Sequence, residues 1–281
     1  MAGPLVMGAV CYDPKVVTIW TGFRRWFVEH GLPFDFILYS NYERQVEDLV
    51  AGRIHAAWNS PLAWVRARRL AAARGRVARP LVMRDTDRDL MSVVVVRADS
   101  AAEKLSDLAG RTVATGAVDS PQATLIPLAS LAELGVDVTV RHYDVGVGLH
   151  GDHIGGERDA ARALAAGEVD AACLLDATHL ILLREGTLSA GATRVIGQVG
   201  PYDHCNLTVI DSAPADLVDR FGDLLLGMDY GDERLRPLLD LEGLHSWVQG
   251  RLSGYDVLEA ATDRLAFYGP AGQLTAAGYQ P

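Results

Sequence analysis

The sequence is short of the features that mark several common classes of protein. It has three cysteines, Cys11, Cys173 and Cys205, and such an odd, sparse number is no disulfide framework. Acidic residues outnumber basic ones, 36 against 26, for a net charge of −10. Nucleic acid is therefore not expected as a partner, because binding to phosphate backbones depends on clustered Lys and Arg, and the one basic cluster, residues 66–76, has the spacing of a solvent-exposed helix face. No apolar run approaches the roughly 20 residues that a membrane span requires.

Sequence signatures of catalysis and of export are missing as well. There is no GxSxG elbow, no P-loop and no GxGxxG motif after a strand. The N-terminal stretch MAGPLVMGAVCYDPK has neither a basic n-region nor an h-region followed by a cleavage site. We therefore expect a cytoplasmic protein as the sequence stands, and a periplasmic or extracellular one if a leader has been removed.

The sequence does show a regular alternation of strand-like and helix-like segments. Apolar runs such as PLVMGAVC, FDFILY, SVVVVR and AACLL alternate with helical patterns such as VVTIWTGFRRWFVEHG and ERDAARALAAG. Several helical patterns end in Gly, which helix C-termini prefer. Wholly apolar strands between helices predict an α/β protein whose mainly parallel sheets are covered on both faces.

One internal similarity indicates two lobes of similar plan. Residues 46–58, VEDLVAGRIHAAW, align with residues 161–173, ARALAAGEVDAAC. Asn59 and Asp176 follow these two units, at the predicted carboxyl ends of strands. In open α/β sheets, ligands bind at that edge.

Two extended segments resemble connections between lobes, residues 92–100 (SVVVVRADS) and residues 204–212 (HCNLTVIDS). Only helical patterns follow the second one. We therefore predict a clamp with two hinge crossovers. Its first lobe consists of residues 1–95 plus 210–281, its second lobe of residues 96–209, and the ligand cleft lies between them.

Four segments carry a family resemblance: CYDPKVVTIW, LYSNYERQVEDLVAGRIHAAWNSPLAW, MRDTDRDL and AGRTVATGAVDSPQATLIPL. Together with the order of elements, they resemble the type II periplasmic binding fold. The branch is the phosphate, phosphite and phosphonate-binding (PhnD-like) family of ABC-transporter solute receptors. The resemblance implies a small, polar, oxyanionic ligand in the cleft and an ABC permease as partner. It also implies that tyrosines, together with hydroxyls and amides at a helix N-terminus, hold the ligand.

Carried over to this chain, the resemblance implies a set of ligand-binding residues. In the first lobe these are Tyr12, Tyr39, Ser40, Asn41, Tyr42, Asn59 and Ser60, and in the second lobe Asp119, Ser120 and Gln122. Ser120 and Pro121 predict a capped helix start with free amides, which suits an anion. Asp119 departs from the family pattern, in which this helix start is rich in Ser and Thr. A carboxylate there would compete with an anion for those amides. Two alternatives stay open: Asp119 only caps the helix, or the ligand has a donor or cationic end.

The glycine-rich stretch VGLHGDHIGGE, residues 147–157, is typical of a metal site, an oxyanion cradle or a solvent-exposed turn. In the implied fold it follows a strand of the second lobe and faces the cleft. We predict that His150, Asp152 and His153 contact the ligand, since histidine donates to an anion when protonated. Other polar side chains are expected to converge on the same region, namely Asp176, His179, His204 and Cys205.

These side chains leave two further hypotheses open. His150, His153 and Asp176 are candidate ligands for a divalent metal, and no other cofactor is predicted. A cytoplasmic lyase, hydrolase or biosynthetic enzyme on the same fold is the alternative function, with the cluster of His150, Asp152, His153, Asp176, His204 and Cys205 as its site. In that enzyme His150, Asp152 and Cys205 are the catalytic candidates. His204 is not expected to pair with Cys205, because neighbours on a strand point to opposite faces. The binding protein is the favoured hypothesis.

Overall fold

A computed structural model of the chain describes residues 3–144 and 153–280. The strands are β1 (Leu5–Val10), β2 (Phe34–Tyr39), β3 (Ala56–Asn59), β4 (Ala78–Arg84), β5 (Leu90–Arg97), β6 (Thr112–Thr115), β7 (Thr139–His142), β8 (Ala171–Leu175), β9 (Thr193–Tyr202), β10 (Asn206–Ile210) and β11 (Trp247–Gln249). The helices are α1 (Lys15–Glu29), α2 (Tyr42–Val50), α3 (Pro61–Ala73), α4 (Ile126–Glu133), α5 (His153–Ala165), α6 (Asp176–Arg184), α7 (Ala215–Leu226), α8 (Arg236–Glu242) and α9 (Asp256–Arg264). A π-helical turn, Pro121–Leu125, continues directly into α4.

The strands form two sheets that divide the chain into two lobes. In the described residues, the sheet of the first lobe has the strand order β11-β4-β10-β3-β1-β2, and that of the second lobe β7-β6-β8-β5-β9. The pairs β1–β2, β1–β3, β6–β7 and β6–β8 are parallel. The pairs that involve β5 or β10 are antiparallel. Each sheet is therefore mixed, because β5 and β10 enter their sheets directly from the other lobe without a crossover helix.

The chain passes between the lobes in two short segments, 85–89 and 203–205. The predicted lobe limits at 95 and 210 lie later in the chain than these crossings. The run Val93–Val96 is almost fully buried inside the second sheet, and β10 lies inside the first sheet. The β-branched runs that suggested connections are thus sheet strands, since burial on both faces needs the same apolar composition.

The region after β10 contains a strand that the sequence analysis missed. Helices α7 and α8 are followed by β11, which pairs antiparallel with β4 at the edge of the first sheet. The prediction of helices alone was wrong here, because a strand of three residues is too short to show an alternating pattern.

The first lobe is held by an aromatic core between α1 and α7. Ile19, Trp20, Phe23 and Phe27 lie on one face of α1 and are fully buried, because their spacing matches the helical repeat. The Phe27 ring centroid lies 5.1 Å from that of Phe221 on α7. Each such side chain stabilises the fold by about 1.5–3 kcal/mol through burial.

The two lobes also pack against each other through helices. Leu125, Ile126 and Ala129, at the start of α4 and just before it, belong to the same buried cluster as Leu258 and Ala261 of α9. This packing joins the second lobe to the C-terminal part of the first. Within the described ranges, no helix has both the length and the apolar character that crossing a membrane demands.

Six of the eleven residues of the glycine-rich stretch, 147–152, lie outside the described residues. His150 and Asp152 are not described, and of His153 the structure gives only its position as the first residue of α5. Gly155 and Gly156, predicted to be loop residues, are in the first turn of α5. A Cβ on Gly156 would lie 2.5 Å from the carbonyl oxygen of Tyr143, so glycine permits a close approach of two backbones here.

Candidate ligand-binding site

A cavity of about 510 Å³ lies between the two lobes and is lined by residues from both. Its size is in the range of pockets that hold small molecules. Its walls come mainly from segments that follow the carboxyl ends of β1, β2, β3, β6 and β8. This is the edge at which α/β sheets bind ligands.

Five helical segments start at the walls of this cavity. The lining residues at these starts are Asp13 and Lys15 for α1, Tyr42 and Glu43 for α2, Ser60 to Ala63 for α3, Asp119, Pro121 and Gln122 for the turn before α4, and Ala177 and Thr178 for α6. The N-terminus of a helix carries about half a positive charge and backbone N–H groups without helical partners. Their convergence favours a negatively charged ligand.

Two of these starts share a Ser-Pro sequence, one in each lobe. Ser60 Oγ accepts a hydrogen bond of 3.2 Å from the amide of Ala63, and Ser120 Oγ accepts one of 3.2 Å from the amide of Ala123. Proline follows each serine and has no N–H to satisfy. Ser120 is fully buried and is not part of the cavity lining, so its hydroxyl oxygen serves the helix.

Arg84, at the end of β4, is the main cation of the cavity and was missed by the sequence analysis. Its Nε and Nη2 donate to the two carboxylate oxygens of Asp87 over 2.6 and 2.8 Å, and Nη1 donates to the carbonyl oxygen of Glu242 over 2.6 Å. A guanidinium has five N–H groups. Two of them therefore remain without an acceptor among the described residues.

Burial and this guanidinium set the protonation states nearby. Burial alone would raise the pKa of Asp87, but the attraction of Arg84 lowers it to about 2. Glu242 is buried in the same region, and this burial raises its pKa to about 7 despite the opposing effect of Arg84. The Arg84 end of the cavity thus contains one firmly ionised carboxylate paired with one arginine.

His204 and Cys205 lie side by side at this end, contrary to prediction. His204 Nδ1 is 3.1 Å from Cys205 Sγ and 3.5 Å from Asp87 Oδ1. The prediction that they cannot pair was wrong, because residues 203–205 form an irregular crossing and not a strand. Burial raises the pKa of the Cys205 thiol, which keeps it protonated and weakens it as a nucleophile. Candidate ligand atoms of Asp87, His204 and Cys205 all lie within 4.8 Å of one another.

The other end of the cavity is acidic and rich in tyrosine. Glu43 and Asp119 line it, and both are largely buried. Tyr268 and Tyr279 come from the C-terminal segment, and the Tyr279 hydroxyl donates a 2.9 Å hydrogen bond to Glu43 Oε1. Tyr42 also lines the cavity, and burial raises the pKa of its hydroxyl well above the ordinary value.

The structure brings some of the predicted residues to the cavity. Those that line it are Tyr12, Tyr42, Ser60, Asp119, Gln122, His204 and Cys205. The side chain of Gln122 is already bonded, because its Nε2 donates to Glu157 Oε1 over 2.9 Å and its Oε1 accepts from Tyr202.

Other predicted residues do not line the cavity, because their side chains have structural partners. The Tyr39 hydroxyl donates to Asp48 over 2.9 Å, and Asn41 Oδ1 caps α2. The fully buried Asn59 amide donates to Thr208 over 2.8 Å. Asp176 accepts from the amide that follows it, and His179 lies 3.1 Å from Thr193 on the same lobe.

Ser40 is an exposed residue between β2 and α2, outside the cavity lining. The predicted roles of His150 and Asp152, and of the His153 side chain, concern atoms outside the described residues.

Several lining residues had no assigned role in the sequence analysis, chiefly Lys15, Glu43, Arg84, Asp87, Tyr268 and Tyr279. The sequence contained a pattern that could have identified two of them as site residues. Lys15 follows the first strand, and Arg84 stands at the end of an apolar run within MRDTDRDL, where α/β sheets place ligand-binding residues. For the two tyrosines no local pattern exists, because they reach the cavity from the end of the chain.

Two α/β lobes, joined by paired crossings around a cavity at the carboxyl ends of their strands, define the class of two-lobed solute-binding proteins. Residues 11–255 match the family described as "ABC transporter, phosphonate, periplasmic substrate-binding protein". The chain belongs to this family, which confirms the resemblance and favours ligand binding over catalysis as its function.

A curated relative supports the same family. The chain is 28% identical over 172 residues to the phosphate-import protein PhnD of Mycolicibacterium smegmatis. The alignment covers 59% of this chain and 52% of the relative, so the chain spans about half the length of that protein in the match.

Solved structures confirm the two-lobed α/β fold. PhnD1 from Prochlorococcus marinus, in complex with methylphosphonate, superposes with a TM-score of 0.67 at 15% identity, over 93% of this chain and 98% of that one. A Xanthomonas citri protein bound to ATP gives a TM-score of 0.70 at 17% identity, over 94% and 98% of the two chains. At these identities the likeness concerns the fold.

Proposed function

We propose that this protein captures a small oxyanion of the phosphonate or phosphate class in the cavity between its lobes and delivers it to an ABC permease. The observation that carries the proposal is the convergence of five helix N-termini on one cavity. Each places the positive end of a helix at the same cavity. Similar proteins agree with this ligand class, since one is a phosphate-import protein and another is in complex with methylphosphonate.

The cavity also offers side-chain donors for an oxyanion. Arg84 provides two N–H groups, and Lys15 lies at the start of α1 with its ammonium 6.0 Å from the Tyr12 ring centroid. Burial raises the pKa of Tyr12, so its hydroxyl stays protonated and can donate. Arginine suits this role, because its planar fork matches the geometry of phosphonate oxygens.

This proposal places the ligand donors differently from the sequence analysis. There, histidines were predicted to be the groups that donate to the anion. With Arg84 in the cavity, His150 and His153 are additional candidates that the proposal does not require. The proposal also requires no metal, and a divalent ion at His150, His153 and Asp176 remains a separate hypothesis.

The family description places such proteins in the periplasm. We propose the same compartment, outside the cytoplasmic membrane, for this chain. Delivery to a permease requires that the loaded protein meets the transporter on that side.

Calorimetric titration with methylphosphonate and with inorganic phosphate, in the presence of EDTA, tests the proposal. Saturable binding of either anion is expected. Lys15→Gln should weaken it several-fold, because one exposed cation is lost at the cavity. Lys104→Gln, at the only other lysine of the chain and away from the cavity, is the matched control.

Two results would contradict the proposal. One is the absence of binding by both anions to folded protein. The other is consumption of methylphosphonate during prolonged incubation, which would support the enzyme alternative instead.

A further inference from the structure

The two crossings between the lobes bring three potential metal ligands together. Within residues 3–144 and 153–280, Asp87, His204 and Cys205 form the one group of three histidine, cysteine or acidic residues whose ligand atoms lie within 4.8 Å of one another. Asp87 belongs to the first crossing, and His204 and Cys205 belong to the second. All three residues line the cavity. An ion bound here would therefore join the two crossings.

The distances between these atoms suit tetrahedral coordination. His204 Nδ1 is 3.1 Å from Cys205 Sγ and 3.5 Å from Asp87 Oδ1. Zinc bonds to nitrogen, sulfur and oxygen are about 2.0–2.3 Å long, so at a tetrahedral angle neighbouring ligand atoms are roughly 3.3–3.7 Å apart. Both separations lie within about half an ångström of those expected in a zinc site.

Asp87 has a hydrogen-bonding partner of its own, and this partner is compatible with a bound metal. Arg84 Nε donates to Asp87 Oδ2 over 2.6 Å, and Arg84 Nη2 donates to Asp87 Oδ1 over 2.8 Å. An ionised carboxylate offers about four lone-pair sites, so Oδ1 can accept from Arg84 and coordinate an ion at the same time. Carboxylates that bind metals are usually hydrogen-bonded in this way. Arg84 thus holds the carboxylate in place from behind.

The main chain around these ligands is fixed by hydrogen bonds. The amide of His204 donates to the carbonyl oxygen of Asp87 over 2.8 Å, and the carbonyl oxygen of His204 accepts from the Tyr255 hydroxyl over 3.0 Å. The amide of Asp203 donates to the carbonyl oxygen of Gly254 over 2.7 Å. The site is therefore preorganised, because an ion does not have to order these segments when it binds.

The charges of the three ligands match a divalent cation. On binding, the metal takes the place of the Cys205 thiol proton, which is released to solvent. The thiolate and the Asp87 carboxylate then neutralise two positive charges. Arg84 has a second acidic neighbour for its own charge, since its Nη1 lies 3.6 Å from Glu242 Oε1. One nitrogen, one sulfur and one oxygen ligand suit zinc, whereas Mg²⁺ and Ca²⁺ prefer oxygen ligands alone.

We propose that Asp87, His204 and Cys205 bind a thiophilic divalent metal ion, with Zn²⁺ as the best match, and that this ion links the two crossings between the lobes. Three protein ligands leave the fourth tetrahedral position to water or to a molecule in the cavity. The inference is independent of the proposed function, because it does not depend on which ligand the cavity holds.

Titration of metal-free protein with Co²⁺ tests the site, because a bond between Co²⁺ and a thiolate has a charge-transfer absorption in the near ultraviolet. We expect one equivalent of Co²⁺ to produce this band, Zn²⁺ to abolish it by competition, and excess Mg²⁺ to leave it unchanged. Zn²⁺ should also raise the midpoint of urea unfolding, since an ion that binds only the folded state stabilises it. Absence of the band in folded wild-type protein would overturn the inference, even if Co²⁺ binds through other ligands.

Two cysteine variants assign the band to this site. Cys205→Ser should abolish it and weaken Zn²⁺ binding at least about tenfold, a loss that is typical even for residues behind a metal site. Cys11→Ser is the matched control, because Cys11 is also a free thiol beside a strand of the first lobe but is exposed and does not line the cavity. A band that persists in Cys205→Ser, or disappears in Cys11→Ser, would refute the assignment. If Cys205→Ser does not fold, His204→Gln should weaken Co²⁺ binding, and an unchanged affinity in that variant would refute it as well.

Discussion

Arg251 connects both crossings between the lobes, and its replacement should show how much this connection stabilises the protein. Its Nε and Nη2 donate to the carboxylate of Asp203 over 2.7 and 2.6 Å, and Nη2 also donates to Asp89 over 2.6 Å. Asp203 lies in the second crossing and is fully buried, whereas Asp89 lies at the end of the first. The substitution Arg251→Met keeps the length of the side chain and removes all three bonds.

The size of the expected loss of stability follows from the burial of Arg251 and Asp203. Removing one member of a buried ion pair costs about 3–5 kcal/mol, because the other charge stays behind without a partner. One third of the Arg251 side chain, 33%, is exposed, so water can replace part of the interaction. We therefore expect the free energy of unfolding to fall by about 3 kcal/mol, near the lower limit.

Urea unfolding followed by tryptophan fluorescence measures this loss. It should appear as a shift of the unfolding midpoint by about 1 M without a change in slope. Arg234→Met is the matched control, since Arg234 forms a largely exposed pair with Asp232, and exposed pairs stabilise little. In an Asp203→Asn background, Arg251→Met should cost at least about 1 kcal/mol less. The same cost in both backgrounds would show that the ion pair is not the cause.

Three further predictions concern the cavity. Burial raises the pKa of Glu242 from its ordinary 4.5 to about 7, so the folded state holds this proton longer than the unfolded state and stability should fall as pH rises from about 5 to 7. Glu242→Gln should flatten that slope in urea unfolding, and an equal slope would refute the assignment. Tyr42→Phe should weaken methylphosphonate binding several-fold in calorimetry. Tyr39→Phe should leave the affinity unchanged and lower the free energy of unfolding by about 1 kcal/mol, because the hydrogen bond to Asp48 is lost. A loss of affinity in Tyr39→Phe but not in Tyr42→Phe would contradict this geometry. If His150 binds the anion, affinity should fall between about pH 6 and 8 in the wild type and not in His150→Gln, while a metal site predicts a rise over the same range.

Local sequence patterns were sufficient to predict the architecture. Apolar runs between helical segments indicated two α/β lobes, and Ser120-Pro121 indicated a capped helix start that the structure contains. The limits of the lobes were predicted less well, because Val93–Val96 has the same composition whether it connects lobes or lies inside a sheet. The pattern of apolar residues indicates which residues are buried, but it does not indicate which strands pair with each other.

The candidate site was harder to predict, because side chains with the right chemistry have several possible uses. Asn59 follows a strand at the ligand edge, yet its amide is fully buried in bonds to Gln45 and Thr208. Tyr279 reaches Glu43, a residue 236 positions away in sequence. Only the three-dimensional structure decides which polar groups face the cavity and which bond to each other.

The electrostatics of the cavity depend on backbone geometry more than on side-chain composition. Its lining contains the cations Lys15 and Arg84 but four carboxylates, those of Asp13, Glu43, Asp87 and Asp119. By side chains alone, an anion would be repelled. Five helix N-termini offset this, since they supply about half a positive charge each, and their effect falls off within the first turn.

The helix N-termini and Arg84 determine where in the cavity an anion is stabilised. An oxyanion is stabilised where it contacts the helix starts and the N–H groups of Arg84. The net charge of −10 therefore does not oppose an anionic ligand.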